Sequence, residues 1–293
     1  MTRIGVVGAG RVGAVLSAGL RAAGHEVVAA AGESDASRTR AATLLPGVPL
    51  LKPTAVSRRA ELLLLTVPDD MLSNVVTQLA AAGAIRPGQL VAHTSGRHGL
   101  AVLAPAAARG AHVMALHPAM TFTGTALDLP RLAGCAFGVT AESPVSVATV
   151  ERLVADLRGR LVWVPEDKRT VYHAGLAHGA NHLVTLVSQA MELVRESGAS
   201  DPAATLRPLL TAALDNALTM GDAALTGPIV RGDVETVRAH LEGILQTRPD
   251  TLPSYVALAR ATANTAVLDG RLLPIRAAKL VGILNDALER VAA

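Results

Sequence analysis

Three glycines, Gly8, Gly10 and Gly13, have the spacing Gly-x-Gly-x-x-Gly; the apolar run Ile4–Val7 precedes them and Ala14–Leu20, with helical spacing, follows. A strand, a glycine turn and a helix in that order suit a pyrophosphate. Gly8 permits the tight turn, Gly10 lets phosphates approach the backbone, and Gly13 lets the helix pack close to the sheet. The helix start then offers free N–H groups and a positive dipole end. The predicted cofactor-binding segment is Gly8, Ala9, Gly10, Arg11, Val12 and Gly13.

Further polar residues cluster where apolar runs end. Thr66-Val67-Pro68-Asp69-Asp70 closes one run, His93-Thr94-Ser95-Gly96 a second and His117-Pro118 a third, the last continuing to Thr121. Val67, Pro68, Thr94 and Ser95 are assigned to the cofactor, and His117 and Thr121 to a substrate. Asp69, Asp70 and Ser95 serve equally well as helix caps. A helical stretch starting at Asp167 carries Lys168, His173, His178, Asn181 and His182. At 3.6 residues per turn, Ala174, His178 and Asn181 share a face. An imidazole donates a proton near neutral pH, as a carbonyl or imine reduction requires. Asn181, His173, His178 and Lys168 are therefore the catalytic candidates. Gly175 and Gly179 are poor helix formers, which points to close approach of a backbone or ligand. His178 and His182 have metal-ligand spacing but lack a third ligand, and no metal is assigned. The segment Leu225-Thr226-Gly227-Pro228-Ile229-Val230-Arg231-Gly232-Asp233 reads as helix punctuation, with Thr226 and Asp233 as N-caps. Alternatively, Thr226 and Arg231 bind substrate, since a guanidinium pairs with a carboxylate in a fork.

These residues need a scaffold, and the rest of the 293-residue chain supplies one. Apolar runs 61–68, 89–94, 111–118, 136–140 and 161–164 read as strands separated by helices. Residues 1–164 thus form an α/β Rossmann-like domain with a mostly parallel sheet. From residue 165 to 293 only helical periods appear, interrupted at prolines, which predicts an all-α substrate and dimerisation domain. The stretch 167–197 reads as one nearly unbroken helix. Hydrophobic residues make up 50% and aromatic ones 2%, so Ala, Val and Leu must build the core. A net charge of +3 and the scattered aromatics Phe122, Phe137, Trp163, Tyr172 and Tyr255 argue against a nucleic-acid partner. One cysteine, Cys135, leaves no internal disulfide. No apolar run spans a bilayer and no secretory signal pattern opens the chain, which predicts a cytoplasmic protein without a membrane partner.

Taken together, several segments resemble one family. They are the glycine loop, Thr66–Asp70, His93–Gly96, Leu116-His117-Pro118-Ala119-Met120-Thr121-Phe122, Tyr172-His173 leading to Asn181, and Ala224–Asp233. The family couples a Rossmann-like domain to a helical domain of unknown function (number 2520) within the 6-phosphogluconate dehydrogenase-like superfamily. Relatives include ketopantoate reductase, pyrroline-5-carboxylate reductase and prephenate dehydrogenase. The resemblance implies a nicotinamide-dependent reductase of a small molecule, homodimeric through its helical domain. The leading expectation is reduction of a ketopantoate-like 2-oxo acid. An imine reduction and a non-catalytic dinucleotide-binding regulator are the rivals. Hydroxyacid dehydrogenases of the superfamily carry Lys-x-x-x-Asn on the first long helix. With Asn181 as that asparagine, the lysine position holds Ala177. Ser34 and Arg38, after the second strand, are placed near the adenosine ribose and favour NADP. Glu33 keeps NAD open, and a deazaflavin coenzyme is the lesser alternative.

Overall fold

The computed structural model describes residues 1–292, with side chains to 290. The chain runs β1 (Arg3–Val7), α1 (Arg11–Ala22), β2 (Glu26–Ala31), α2 (Asp35–Leu44), α3 (Pro53–Arg59), β3 (Leu62–Leu65), α4 (Asp69–Ala81), β4 (Leu90–His93), α5 (Ala104–Ala107), β5 (His112–Pro118), β6 (Ala136–Thr140), α6 (Pro144–Asp156) and β7 (Arg160–Trp163). Helices α7 (Arg169–Leu176) and α8 (His182–Glu196) follow, then α9 (Pro202–Met220), α10 (Pro228–Arg231), α11 (Val234–Thr247), α12 (Leu252–Leu268) and α13 (Pro274–Ala292). Two compact units result, Met1–His178 and Gly179–Ala293.

The first unit holds a seven-stranded sheet of order β2-β1-β3-β4-β5-β6-β7. The sheet is mostly parallel, as expected, and only β5 and β6 run antiparallel. The connection between those two strands, residues 119–135, holds only short 3-10 turns. Without a crossover helix the chain must return antiparallel. Leucines fill β3, Leu62 to Leu65, all buried, as a strand covered on both faces requires. One face packs Val15, Leu16 and Leu20 of α1 against Val150, Leu153 and Val154 of α6. The other receives Leu72, Val76 and Leu79 of α4.

The chain leaves β1 for β2 on one side and reaches β3 on the other. The C-terminal ends of β1 and β3 therefore flank the point where strand order reverses, where open α/β sheets bind ligands. In the second unit, Val237, Leu241 and Ile244 of α11 share a core with Leu252 and Val256 of α12 and Leu280 and Leu284 of α13.

Two local expectations are corrected. The helix predicted over 167–197 is a 3-10 turn at Glu166–Lys168, then α7, a π-helical segment at Ala177–Asn181, and α8. The wider π turn breaks the spacing on which a shared face of Ala174, His178 and Asn181 was read. Thr226 does not cap α10. Gly227, at φ +97°, takes that place with Pro228 inside the helix. Asp233 caps α11 as expected, its carboxylate accepting from the Thr236 N–H.

Candidate active site

The glycine loop is built for close backbone approach. Gly8 adopts φ +104°, and the N–H groups of Gly8 and Ala9 bond the Ala31 carbonyl at 3.0 and 2.8 Å. A Cβ on Gly13 would stand 2.3 Å from both the Gly8 carbonyl oxygen and Thr66 Oγ1. Thr66 itself donates to the Gly8 carbonyl at 2.6 Å, tying the end of β3 to the loop. Gly10 differs. Its φ of −75° suits any residue, and the nearest atom to an added Cβ is Gly8 O at 3.9 Å. No side chain caps the N-terminus of α1. The space over Gly10 and the uncapped helix start form a cradle that any side chain at Gly10 would fill, which fits a dinucleotide pyrophosphate. Ala9 is buried, Val12 is partly buried against the core, and Arg11 is exposed.

Beyond β2, Ser34 caps α2, its hydroxyl accepting from the Ser37 N–H at 3.2 Å. Arg38 is exposed and ion-paired with Asp35 at 3.1 Å. Arg11 and Arg40 instead both pack against Gly124, which lies in the loop after β5 at φ +79°. That loop is anchored by the buried carboxylate of Asp128, which accepts from Gly124 N–H at 2.8 Å and Thr123 Oγ1 at 3.0 Å.

At the ends of β4 and β5 the side chains converge. A Cβ on Gly96 would lie 2.5 Å from His173 Cδ2 and 3.0 Å from His117 Nε2, so two imidazoles press on a bare backbone. The His117 and His173 rings meet edge to face, centroids 5.8 Å apart. His117 Nδ1 and the Tyr172 hydroxyl are hydrogen-bonded at 3.1 Å. Gly138, paired with His117 across β5 and β6, leaves room for the Tyr172 phenol, whose oxygen would stand 2.4 Å from a Cβ there. Burial, then His173 and Arg169, hold His117 down at about 4, and the ring is neutral at physiological pH.

Arg169, the first residue of α7, is fully buried beside this cluster. It donates to the Ser95 carbonyl at 2.7 Å and to Thr140 Oγ1 at 2.9 Å, with a longer contact to the Gly138 carbonyl. All three acceptors are uncharged, and its Nε has no hydrogen-bond partner among the described residues. Ser95 is committed to the scaffold. Its N–H bonds His93 Nδ1 and its hydroxyl accepts from the His98 N–H. His93 in turn bonds the Gly99 carbonyl at 2.9 Å through Nε2, and burial lowers it to about 4.

The structure therefore gathers His117 and His173, two of the predicted residues, with Gly96, Tyr172 and Arg169. Lys168 lies exposed, paired with Asp167 at 2.9 Å. Thr121 is exposed in the loop after β5, Thr94 is partly buried after β4, and Val67 and Pro68 lead into α4. His178 and Asn181 lie on the π segment. Thr226 and Arg231 are exposed in the helical unit, where the Arg231 carbonyl accepts from Arg276. A Cβ on Gly175 or Gly179 would meet nothing within 4 Å among the described residues, so the expected close neighbour is not part of the fold. Sequence reading overlooked Thr66, Arg169 and Tyr172 as site residues. One signal was available: Gly138 inside an apolar strand marks a close approach, here by the phenol.

Residues 1–118 match the Rossmann-like domain family, and residues 135–262 match a domain of unknown function, DUF2520. No curated protein matches the chain by sequence. A structure from Bacteroides fragilis, provisionally described as an NADP oxidoreductase, has a TM-score of 0.78 at 20% identity, covering 90% of this chain and 98% of that one. The Plasmodium falciparum pyrroline carboxylate reductase with NADP bound has 0.59 at 10% identity, with coverage of 96% and 98%. A reductive aminase from Aspergillus terreus, in complex with NADPH and ethyl-5-oxohexanoate, has 0.58 at 17% identity, with coverage of 99% and 94%. At these identities the likeness is one of fold.

Proposed function

We propose, from the premise that this chain joins a Rossmann-like domain to a DUF2520 domain, that it is an NADP-dependent reductase of a small carbonyl acid. A ketopantoate-like 2-oxo acid is the leading substrate. The observation that carries the reading is the open cradle over Gly10, on the sheet edge where β4 and β5 also end in the His117–Tyr172–His173 cluster. The bound nicotinamide would supply the hydride. Gly8, Gly10 and Gly13 shape the pyrophosphate seat. Ser34 lies at the start of α2, and Arg11 and Arg40 beside Gly124 offer positive charge for a 2′-phosphate; Arg38 already has Asp35. The cluster at Gly96 supplies the substrate proton. Asn181 orients the substrate oxygen and Arg231 takes its carboxylate, the roles implied by the family resemblance. NADP or NADPH is also named in the three compared structures.

A cyclic or open imine is the second reading, favoured by Ala177 at the position where hydroxyacid dehydrogenases carry lysine. A protonated imine asks less of a general acid. The helical unit is also proposed to form the homodimer contact. Its α8 and α9 expose Val184, Leu209 and Leu218 at 64, 65 and 79%, an apolar surface typical of interaction sites. The test is NADPH consumption with 2-oxo acids and with imines, repeated in Asn181→Ala and His173→Ala. Both variants should bind NADPH as the parent does and reduce substrate more slowly. If NADPH binds but neither substrate class is turned over, the enzyme reading is wrong and the regulator reading replaces it.

A further inference from the structure

We propose that Tyr172 is the proton donor of this reductase, that His117 returns the proton to it, and that the buried Arg169 positions and electrostatically supports the pair. The inference rests on the reductase reading above and names a donor that none of the sequence candidates supplied.

The Tyr172 hydroxyl lies over Gly138, at the pair His117–Gly138 that joins β5 to β6. Its one side-chain hydrogen-bond partner here is His117 Nδ1, at 3.1 Å. Tyr172 is half-buried, and the proposed substrate approaches its hydroxyl from the solvent side. Behind it stands a guanidinium with no carboxylate among its hydrogen-bond acceptors. A buried cation bonded only to neutral groups is costly unless some negative charge forms near it. Glu166 and Asp69 already act on this guanidinium, though less strongly than Tyr172 does; a phenolate left after proton transfer adds a nearer negative charge, appearing only during turnover, when stabilising it speeds the reaction.

In the step itself, the Tyr172 O–H bond breaks as the substrate O–H bond forms, at the oxygen of a carbonyl whose carbon a bound nicotinamide would supply with hydride. The phenolate then takes the Nδ1 proton of His117, while Nε2 takes one from solvent. Loss of the Nε2 proton to solvent and uptake of one at Nδ1 restore the starting tautomer, and the net change over a turnover is one proton from water and the hydride the nicotinamide would supply. Neutral His117 suits this relay, because an imidazole that stayed cationic could not accept the solvent proton. Thr140 and the Ser95 and Gly138 carbonyls fix the Arg169 plane, so its charge stays in register with the phenol.

The groups facing the phenol are Arg169 from its own helix, His117 from β5, and Cys135 with the Gly138 backbone on the β6 side. Burial raises the Tyr172 phenol above its ordinary 10.0, while Arg169 lowers it and Cys135 raises it. A phenol donor therefore stays protonated through neutral pH and activity falls only in the alkaline range. An imidazole donor of ordinary pKa, near 6.5, would lose activity through neutrality.

The chain has two tyrosines, Tyr172 and Tyr255, so a Tyr255→Phe background reports Tyr172 alone. Its tyrosinate absorbance is titrated with and without Arg169→Met, and with Arg169→Lys in case the methionine variant folds poorly. The expected result is a higher midpoint in Arg169→Met and a nearly unchanged one in Arg169→Lys. Turnover by Tyr172→Phe should fall about 10²–10⁴-fold with NADPH affinity kept. Tyr172→Phe turning over within about three-fold of the parent, or a phenol midpoint indifferent to Arg169→Met, would overturn the proposal. Failure of the parent chain to bind NADPH would instead sink the reductase reading, and the donor with it.

Discussion

His93 and His117 give the residue scale its clearest thermodynamic signature. Both are neutral when folded, held at about 4 by burial, against 6.5 for a free imidazole. Above 6.5 neither state binds the proton, and stability is unaffected. Between 6.5 and 4 the unfolded chain binds protons that the folded chain refuses, so stability falls as pH falls. Each group costs about 3 kcal/mol across that window. Thermal melts from pH 7 to 4 should show this slope, and His93→Gln should flatten it; equal slopes would contradict the assignment. Of the three loop glycines, Gly13 has the tightest surroundings. Gly13→Ala drives a methyl into the Gly8 carbonyl and Thr66 and should cost about 1–3 kcal/mol in chemical denaturation. Gly8 and Gly13 depart from what a side chain allows, and Gly10 was legible through the Gly-x-Gly-x-x-Gly spacing it shares with them. Arg169 and Tyr172 were not, because their importance comes from residues distant in the chain: Ser95, Gly138 and Thr140.

At the scale of elements, the strands were readable to within a few residues, since apolar runs such as Leu62–Leu65 leave no other way to be buried. The direction of β6 was not readable. Alternating strands and helices imply parallel neighbours, and only the lack of a helix over 119–135 reveals the antiparallel return. The π segment at Ala177–Asn181 was hidden too, because one extra residue in a turn barely disturbs an apolar pattern read over thirty residues. Gly175 and Gly179 flank and enter that segment with open space beside them. On the fold alone, Gly175→Ala should stabilise the helix by about 1 kcal/mol. If a substrate uses the space, the same change should raise KM. A melt and a KM measurement on this variant distinguish packing from binding; a destabilised variant would contradict the open geometry.

The whole molecule pairs a sheet domain, largely evident from its alternating pattern, with a helical unit for which the family resemblance implies a homodimer contact. No helix among the described residues is long and apolar enough to cross a membrane. The exposed apolar side chains of α8 and α9 are the surface proposed above for a second copy. Leu218→Glu should shift sedimentation from dimer to monomer; a parent chain that sediments as a monomer would contradict that surface. The central claim is that the chain binds a nicotinamide dinucleotide over Gly10. The measurement that tests it most directly is titration with NADPH and NADH, followed by nicotinamide fluorescence, for the parent chain and for Gly10→Asp. The backbone at Gly10 accepts a side chain and the nearest atom to its Cβ is 3.9 Å away, so the variant should melt like the parent. The account predicts saturable NADPH binding, weaker NADH binding, and loss of both in Gly10→Asp. Binding by neither nucleotide, or NADPH binding that survives Gly10→Asp unchanged, would contradict it.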